Sequence, residues 1–98
     1  MKVKQIRNNN GNLAVNQFIM YDDKSITFQS YNTIIATYKI QKQTLILDHY
    51  TNNMSRTTAK YFNIFVNNTL RWCSGANEVR NAKNVKEYNK QNKTKKLN

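Results

Sequence analysis

Proline is missing altogether from these 98 residues, and glycine occurs only at Gly11 and Gly75. Two glycines so far apart cannot build a phosphate-cradling loop, and no GxxxxGK[ST] string is present, so that class of nucleotide site is excluded. A single cysteine, Cys73, rules out an internal disulfide, and nothing in the fold needs an oxidising compartment. One histidine, His49, with that one cysteine supplies no ligand set for structural zinc. No run approaches the roughly 18 apolar residues of a membrane-crossing helix, and the N-terminus lacks the apolar stretch of a signal peptide. The expectation is a cytoplasmic protein with no membrane partner.

Acidic residues are few as well: five Asp and Glu stand against sixteen Lys and Arg, a formal charge of +11 at pH 7. The excess is uneven. Lys2, Lys4 and Arg7 give residues 1–7 a charge of +3, and seven bases against Glu87 give residues 79–98 a charge of +6. Residues 8–78 hold six bases and four acids, hence +2. Cationic ends on a nearly balanced body favour an anionic partner such as nucleic acid, an acidic protein face or an anionic membrane. The alternative is that lysine-rich ends only keep a small protein soluble.

Catalytic groupings are also scarce. His49 follows Asp48, and a histidine beside an aspartate can act as a general base, but no nucleophile or oxyanion partner accompanies it. Asp22 and Asp23 can hold a divalent cation in principle, although adjacent acids between two strands read more simply as a turn. The expectation is therefore no enzyme, no metal and no cofactor.

What is present is a helical period over residues 55–70, SRTTAKYFNIFVNNTL. Ser55 is a good N-cap, because its hydroxyl can accept from the free N–H groups of the first turn. At 3.6 residues per turn Ala59, Phe62, Val66 and Leu70 share one stripe, with Tyr61, Phe65 and Trp72 on its flank as core residues. The opposite side carries Arg56, Lys60, Asn63, Asn67 and Arg71. Such a basic, amide-rich face can hold phosphates and read base edges, or it is simply solvated.

Before this helix the pattern is that of strands. Residues 1–7 could form a short edge strand, which the Asn-rich turn at residues 8–12 ends at once. Residues 13–21 and 26–31 read as a hairpin, and residues 34–40 and 44–48 as a second one with period-2 alternation. The fold class is therefore α+β: an antiparallel sheet of three or four strands with one main helix across its apolar face. Tyr21, Tyr31 and Tyr50 fall at strand ends or on the outer face, where they are candidates for stacking bases.

After Gly75, the residues Ala76, Val79, Ala82, Val85 and Tyr88 recur every third position, which makes a weak second helix with Arg80, Lys83, Lys86 and Lys90 outward. From residue 89 on, little apolar content remains, and the tail is expected to be disordered when free. The chain thus divides into a single α+β domain over residues 1–74 and a basic extension over 75–98.

Two strings carry a resemblance: FQSYNTIIA at residues 28–36 and SRTTAKYFNIF at residues 55–65. The order F.SY...IA, then SRTT.KY...F, resembles a family of short uncharacterised proteins of bacteriophages and related mobile elements, over residues 15–66. The resemblance implies a small viral protein working in a bacterial host's cytoplasm, and phage proteins of this size include host-takeover factors and anti-CRISPR proteins. The leading expectation is a non-enzymatic protein that docks on an acidic or nucleic-acid-containing host complex and blocks it. A direct binder of single-stranded DNA or RNA, serving phage replication or transcription, is the second reading. A virion or assembly component is the third.

Overall fold

The computed structural model describes residues 2–82, 85–92 and 94–98. Five strands lie side by side in chain order, each antiparallel to the next: β1 (Lys2–Arg7), β2 (Leu13–Tyr21), β3 (Ser25–Ser30), β4 (Thr33–Lys39) and β5 (Thr44–Leu47). The fold is α+β as expected, with five strands where three or four were counted. The difference lies in the first seven residues, which pair with β2 from Lys2 opposite Tyr21 to Arg7 opposite Leu13.

The turns follow from their polar residues. Asn8 accepts through Oδ1 from the N–H groups of Asn10 and Asn12, and Gly11 takes a φ of 83° that side chains disfavour. Asp22 accepts from the N–H groups of Lys24 and Ser25, at 2.8 and 3.0 Å, which makes the adjacent acids a turn.

One face of the sheet is apolar, with Ile6, Ile19, Phe28, Ala36, Tyr38, Leu45 and Leu47 buried. The strict alternation read over residues 34–40 fails at one point. Phe28 pairs with Ala36, but Gln29 pairs with Ile34, so Ile35 is an extra residue in β4 and is wholly buried.

Helix α1 (Arg56–Ile64) starts where Ser55 predicts: the Ser55 hydroxyl accepts from the Thr58 N–H at 3.2 Å. Replacing Ser55 with alanine should lower stability by about 1 kcal/mol. A reduced midpoint of urea unfolding at unchanged slope would show it. The helix then widens into a π-turn (Phe65–Thr69), closed by the Leu70 N–H donating to the Phe65 carbonyl at 3.1 Å. That extra residue per turn lets Phe62, Phe65, Val66 and Leu70 all enter the core, with the Phe65 ring stacked on Phe28 at 5.4 Å. It also ends the regular helix before Trp72, which is 86% exposed and not a core-flank residue as the simple helical wheel placed it.

The segment beyond residue 74 belongs to the same core. A 3-10 turn (Ser74–Ala76), α2 (Asn77–Asn81) and α3 (Val85–Gln91) follow, and Ala76, Val79 and Tyr88 are buried in the cluster that holds the sheet and α1 together. An apolar residue at every third position drifts around an α-helix, and two short helices keep that series inward where one long helix would not.

The last residues are ordered against β5, contrary to the expected disorder. Lys95 donates its N–H to the Leu47 carbonyl at 2.9 Å and accepts from the His49 N–H at 3.0 Å, and Asn98 pairs through its amide with both the N–H and C=O of Ile34. These bonds use main-chain groups, which hydropathy does not register. Asp48, buried at the end of β5, accepts from the N–H of Leu97 at 2.7 Å and of Tyr50 at 2.8 Å.

Burial alone would raise the pKa of Asp48, but the hydrogen bonds from Leu97 and Tyr50, with help from Asn98, outweigh it and hold the carboxyl below its usual value of 3.8. The folded carboxyl therefore releases its proton more readily than the unfolded one. Its contribution to stability is fully present above the unfolded value and is lost as pH falls through the lower, folded one. Asp48→Asn should flatten the loss of stability below about pH 4 and cost roughly 1–3 kcal/mol at pH 7, as read from urea midpoints at several pH values.

Candidate binding surface

Of the five residues read from the helical period, Arg56, Lys60 and Asn63 lie on α1, Asn67 lies in the π-turn and Arg71 in the turn beyond it, and all five are exposed. Lys60 lies over the Tyr61 ring at 5.3 Å, and Arg71 lies over the Trp72 ring at 4.9 Å. The second contact joins the end of the cationic face to the most exposed large apolar side chain described. At an exposed site such a cation–π contact is worth about 0.5–1 kcal/mol.

Asn63 and Asn67 form a ridge between two hollows. The smaller, about 310 Å³, is bounded by Asn9 of the β1–β2 turn together with Lys60 and Asn68. The larger, about 530 Å³, lies between α1, the 3-10 turn His49–Asn53 and the C-terminal helices, with Asn52, Arg80 and Lys86 on its wall. No carboxylate is among the described residues lining either hollow. The structure thus brings Lys86 of the basic extension to the amide ridge of α1.

The rest of that basic set is placed differently. Arg80 is not an outward cation. Its guanidinium donates to the carbonyls of Val66 at 3.1 Å, Leu70 at 2.8 Å and Cys73 at 3.5 Å, and to the side chain of Asn77. These carbonyls lie where the helix ends and gives way to turns, and a positive charge there complements the helix dipole. Arg80→Met should therefore cost about 2 kcal/mol, with Arg80→Lys giving little rescue because an ammonium lacks the planar fork. Chemical unfolding of both variants checks this. Lys90 is exposed on α3 and lines neither hollow. Lys83 lies outside the described residues.

The three tyrosines do not share a platform. Tyr21 is half-buried against the core on the helix side of the sheet, because its partner Ile26 faces that way. Tyr31 is 52% exposed in the β3–β4 turn, at the other end of β3, with a left-handed φ of 55°. Tyr50 sits in the 3-10 turn after β5.

Asp48 and His49 take different hydrogen-bond partners. The Asp48 carboxylate is occupied by main-chain N–H groups, and His49 Nδ1 is hydrogen-bonded to the Thr94 hydroxyl. Among the described residues no group of three His, Cys, Asp or Glu side chains is disposed to hold a metal ion, and no helix is long and apolar enough to cross a membrane.

Trp72 is the surface residue the sequence reading missed. Its position just past the last buried residue of the stripe, beside Arg71 and before Ser74 and Gly75, is the signal that was available, since a helix stop so near leaves the indole no core to enter.

A family model described as a family of unknown function (DUF8033) matches residues 1–96. No curated protein and no solved structure matches the chain.

Proposed function

This chain belongs to DUF8033, a family of unknown function, and on that premise we propose that it is a non-enzymatic docking protein whose α1 face engages an acidic or nucleic-acid-containing complex and blocks it. The bacteriophage setting, and an antagonist of host defence of the anti-CRISPR kind, are part of this proposal and rest on the resemblance of the two strings at residues 28–36 and 55–65.

One observation supports it above the others. A line of exposed cations and amides ends on an exposed tryptophan whose ring lies beneath the Arg71 guanidinium. Trp and Arg are the residue types that most often dominate binding energy at interfaces, and the surrounding cations steer an anionic partner toward them. Among the described residues no carboxylate lines the hollows on either side, which suits a negative surface.

The amide ridge favours a second reading. Asn63, Asn67 and Asn9 offer paired donors and acceptors of the kind that read base edges, which suits direct binding to single-stranded DNA or RNA. A single experiment separates the two: binding of a labelled single-stranded oligonucleotide measured against salt. A direct binder loses affinity linearly on a log–log plot, with slope set by the number of phosphates neutralised. The docking reading expects little affinity for the naked oligonucleotide, together with capture of a host complex that fails when Arg56, Lys60 and Arg71 are all changed to glutamine. Capture equal for the triple variant and the native chain would overturn it.

A further inference from the structure

Folding draws lysines of the nearly neutral body together with one of the basic tail into a cluster of positive charge. Lys24 of the β2–β3 turn, Lys39 at the end of β4, Lys42 of the β4–β5 turn and Lys95 of the C-terminal tail line one cleft of about 700 Å³. Three separate stretches of chain bring them there, and among the described residues Glu78 is the single carboxylate on its wall. Among the described residues no acceptor takes a hydrogen bond from any of the four ammonium groups, and none of them forms an ion pair.

The cleft is built on close backbone packing. A Cβ on Gly75 would lie 2.2 Å from the Gln43 carbonyl oxygen, so only glycine lets the Ser74–Ala76 turn press against the β4–β5 turn to form one wall. Gln43 itself holds a left-handed φ of 51°, a conformation that costs free energy for a side-chain-bearing residue. Lys95 is carried in by the main-chain pairing of the tail with β5. Like charges gathered round a concave site repel one another and destabilise the folded state, while the field they focus attracts a polyvalent anion. The volume lies within the range of small-ligand sites.

We propose that this cleft is a binding site for a chain of phosphate groups, with Lys24, Lys39, Lys42 and Lys95 as its ligating cations. The shared chemistry fits either a free nucleoside triphosphate or a short run of nucleic-acid backbone. The site is separate from the α1 face, and none of its four lysines belongs to that surface.

The test is calorimetric titration of the full chain with inorganic tripolyphosphate at low salt, followed by ATP and a dodecathymidylate. Tripolyphosphate is expected to bind the native protein and to raise its melting temperature more than chloride at equal ionic strength, since a ligand of the folded state stabilises it by mass action. Lys39→Gln with Lys42→Gln should weaken binding at least about tenfold, as loss of about 1.4 kcal/mol or more of charge-assisted contact implies. Because these changes relieve repulsion, the variant should melt no lower than the native protein without ligand. Lys24→Gln, in a different turn, is the second variant should the first fail to fold, and it should weaken binding in the same direction. Arg56→Gln with Lys60→Gln on the α1 face should leave tripolyphosphate binding unchanged. Tighter binding of ATP identifies the free nucleotide as the source, and tighter binding of the dodecathymidylate identifies the backbone. No heat and no melting shift with tripolyphosphate, or equal loss from the cleft and α1-face variants, would overturn the proposal.

Discussion

Phe65→Ala is expected to remove about 3–5 kcal/mol of stability, enough to leave much of the population unfolded at 37 °C in a domain whose total is typically about 5–15 kcal/mol. The Phe65 side chain is fully buried and its ring stacks on Phe28, so truncation loses both the transfer of a ring from water and the contact between the two rings. The site cannot collapse easily to fill the gap. Phe65 opens the π-turn, and Phe62, Val66 and Leu70 are already buried around the same point of the sheet. Phe65→Leu, which leaves less empty volume, should cost clearly less. Urea unfolding followed by circular dichroism would show both shifts as lower midpoints, and an alanine variant within 1 kcal/mol of the native protein would contradict this picture of the core.

Trp72→Ala is expected to do the reverse, leaving stability within about 0.5 kcal/mol and weakening partner capture about 30-fold, the equivalent of a 2 kcal/mol anchor. At 86% exposure the indole contributes little to the fold, and its described ring contact is with Arg71. Trp72→Phe, keeping an aromatic face for the guanidinium, should recover part of the loss. Equal capture by the alanine variant would take the anchor role away from this residue, and a marked fall in melting temperature would show that it packs against more than Arg71.

Some of this was legible from residue order alone because it depends on local chemistry. Ser55 as a cap, the Asn8 and Asp22 turns, and the exposed line from Arg56 to Arg71 each follow from a side chain acting within a few residues of itself. The misreadings arose where one residue shifts a period. Ile35 in β4 and the π-turn at Phe65 each insert an extra position, and a strict period of 2 or 3.6 then assigns the neighbours to the wrong side. Trp72 was lost to the core for that reason.

Long-range contacts were beyond reach in another way. Arg80 reads as a surface cation until the carbonyls of Val66 and Leu70 come next to it, and the tail reads as disordered until Asp48 and Ile34 supply partners for its backbone and for Asn98. The four lysines of the cleft are spread from position 24 to position 95, and no spacing rule links them.

The most direct test of the docking account is the ionic-strength dependence of capture. The native chain and the triple Arg56→Gln, Lys60→Gln, Arg71→Gln variant would be immobilised side by side and exposed to bacterial lysate between 50 and 200 mM salt. The account predicts a specific complex on the native chain whose yield falls steeply as salt rises, and its loss from the triple variant at every salt concentration. A complex retained equally by both proteins, with no dependence on salt, would show that the α1 face does not hold the partner.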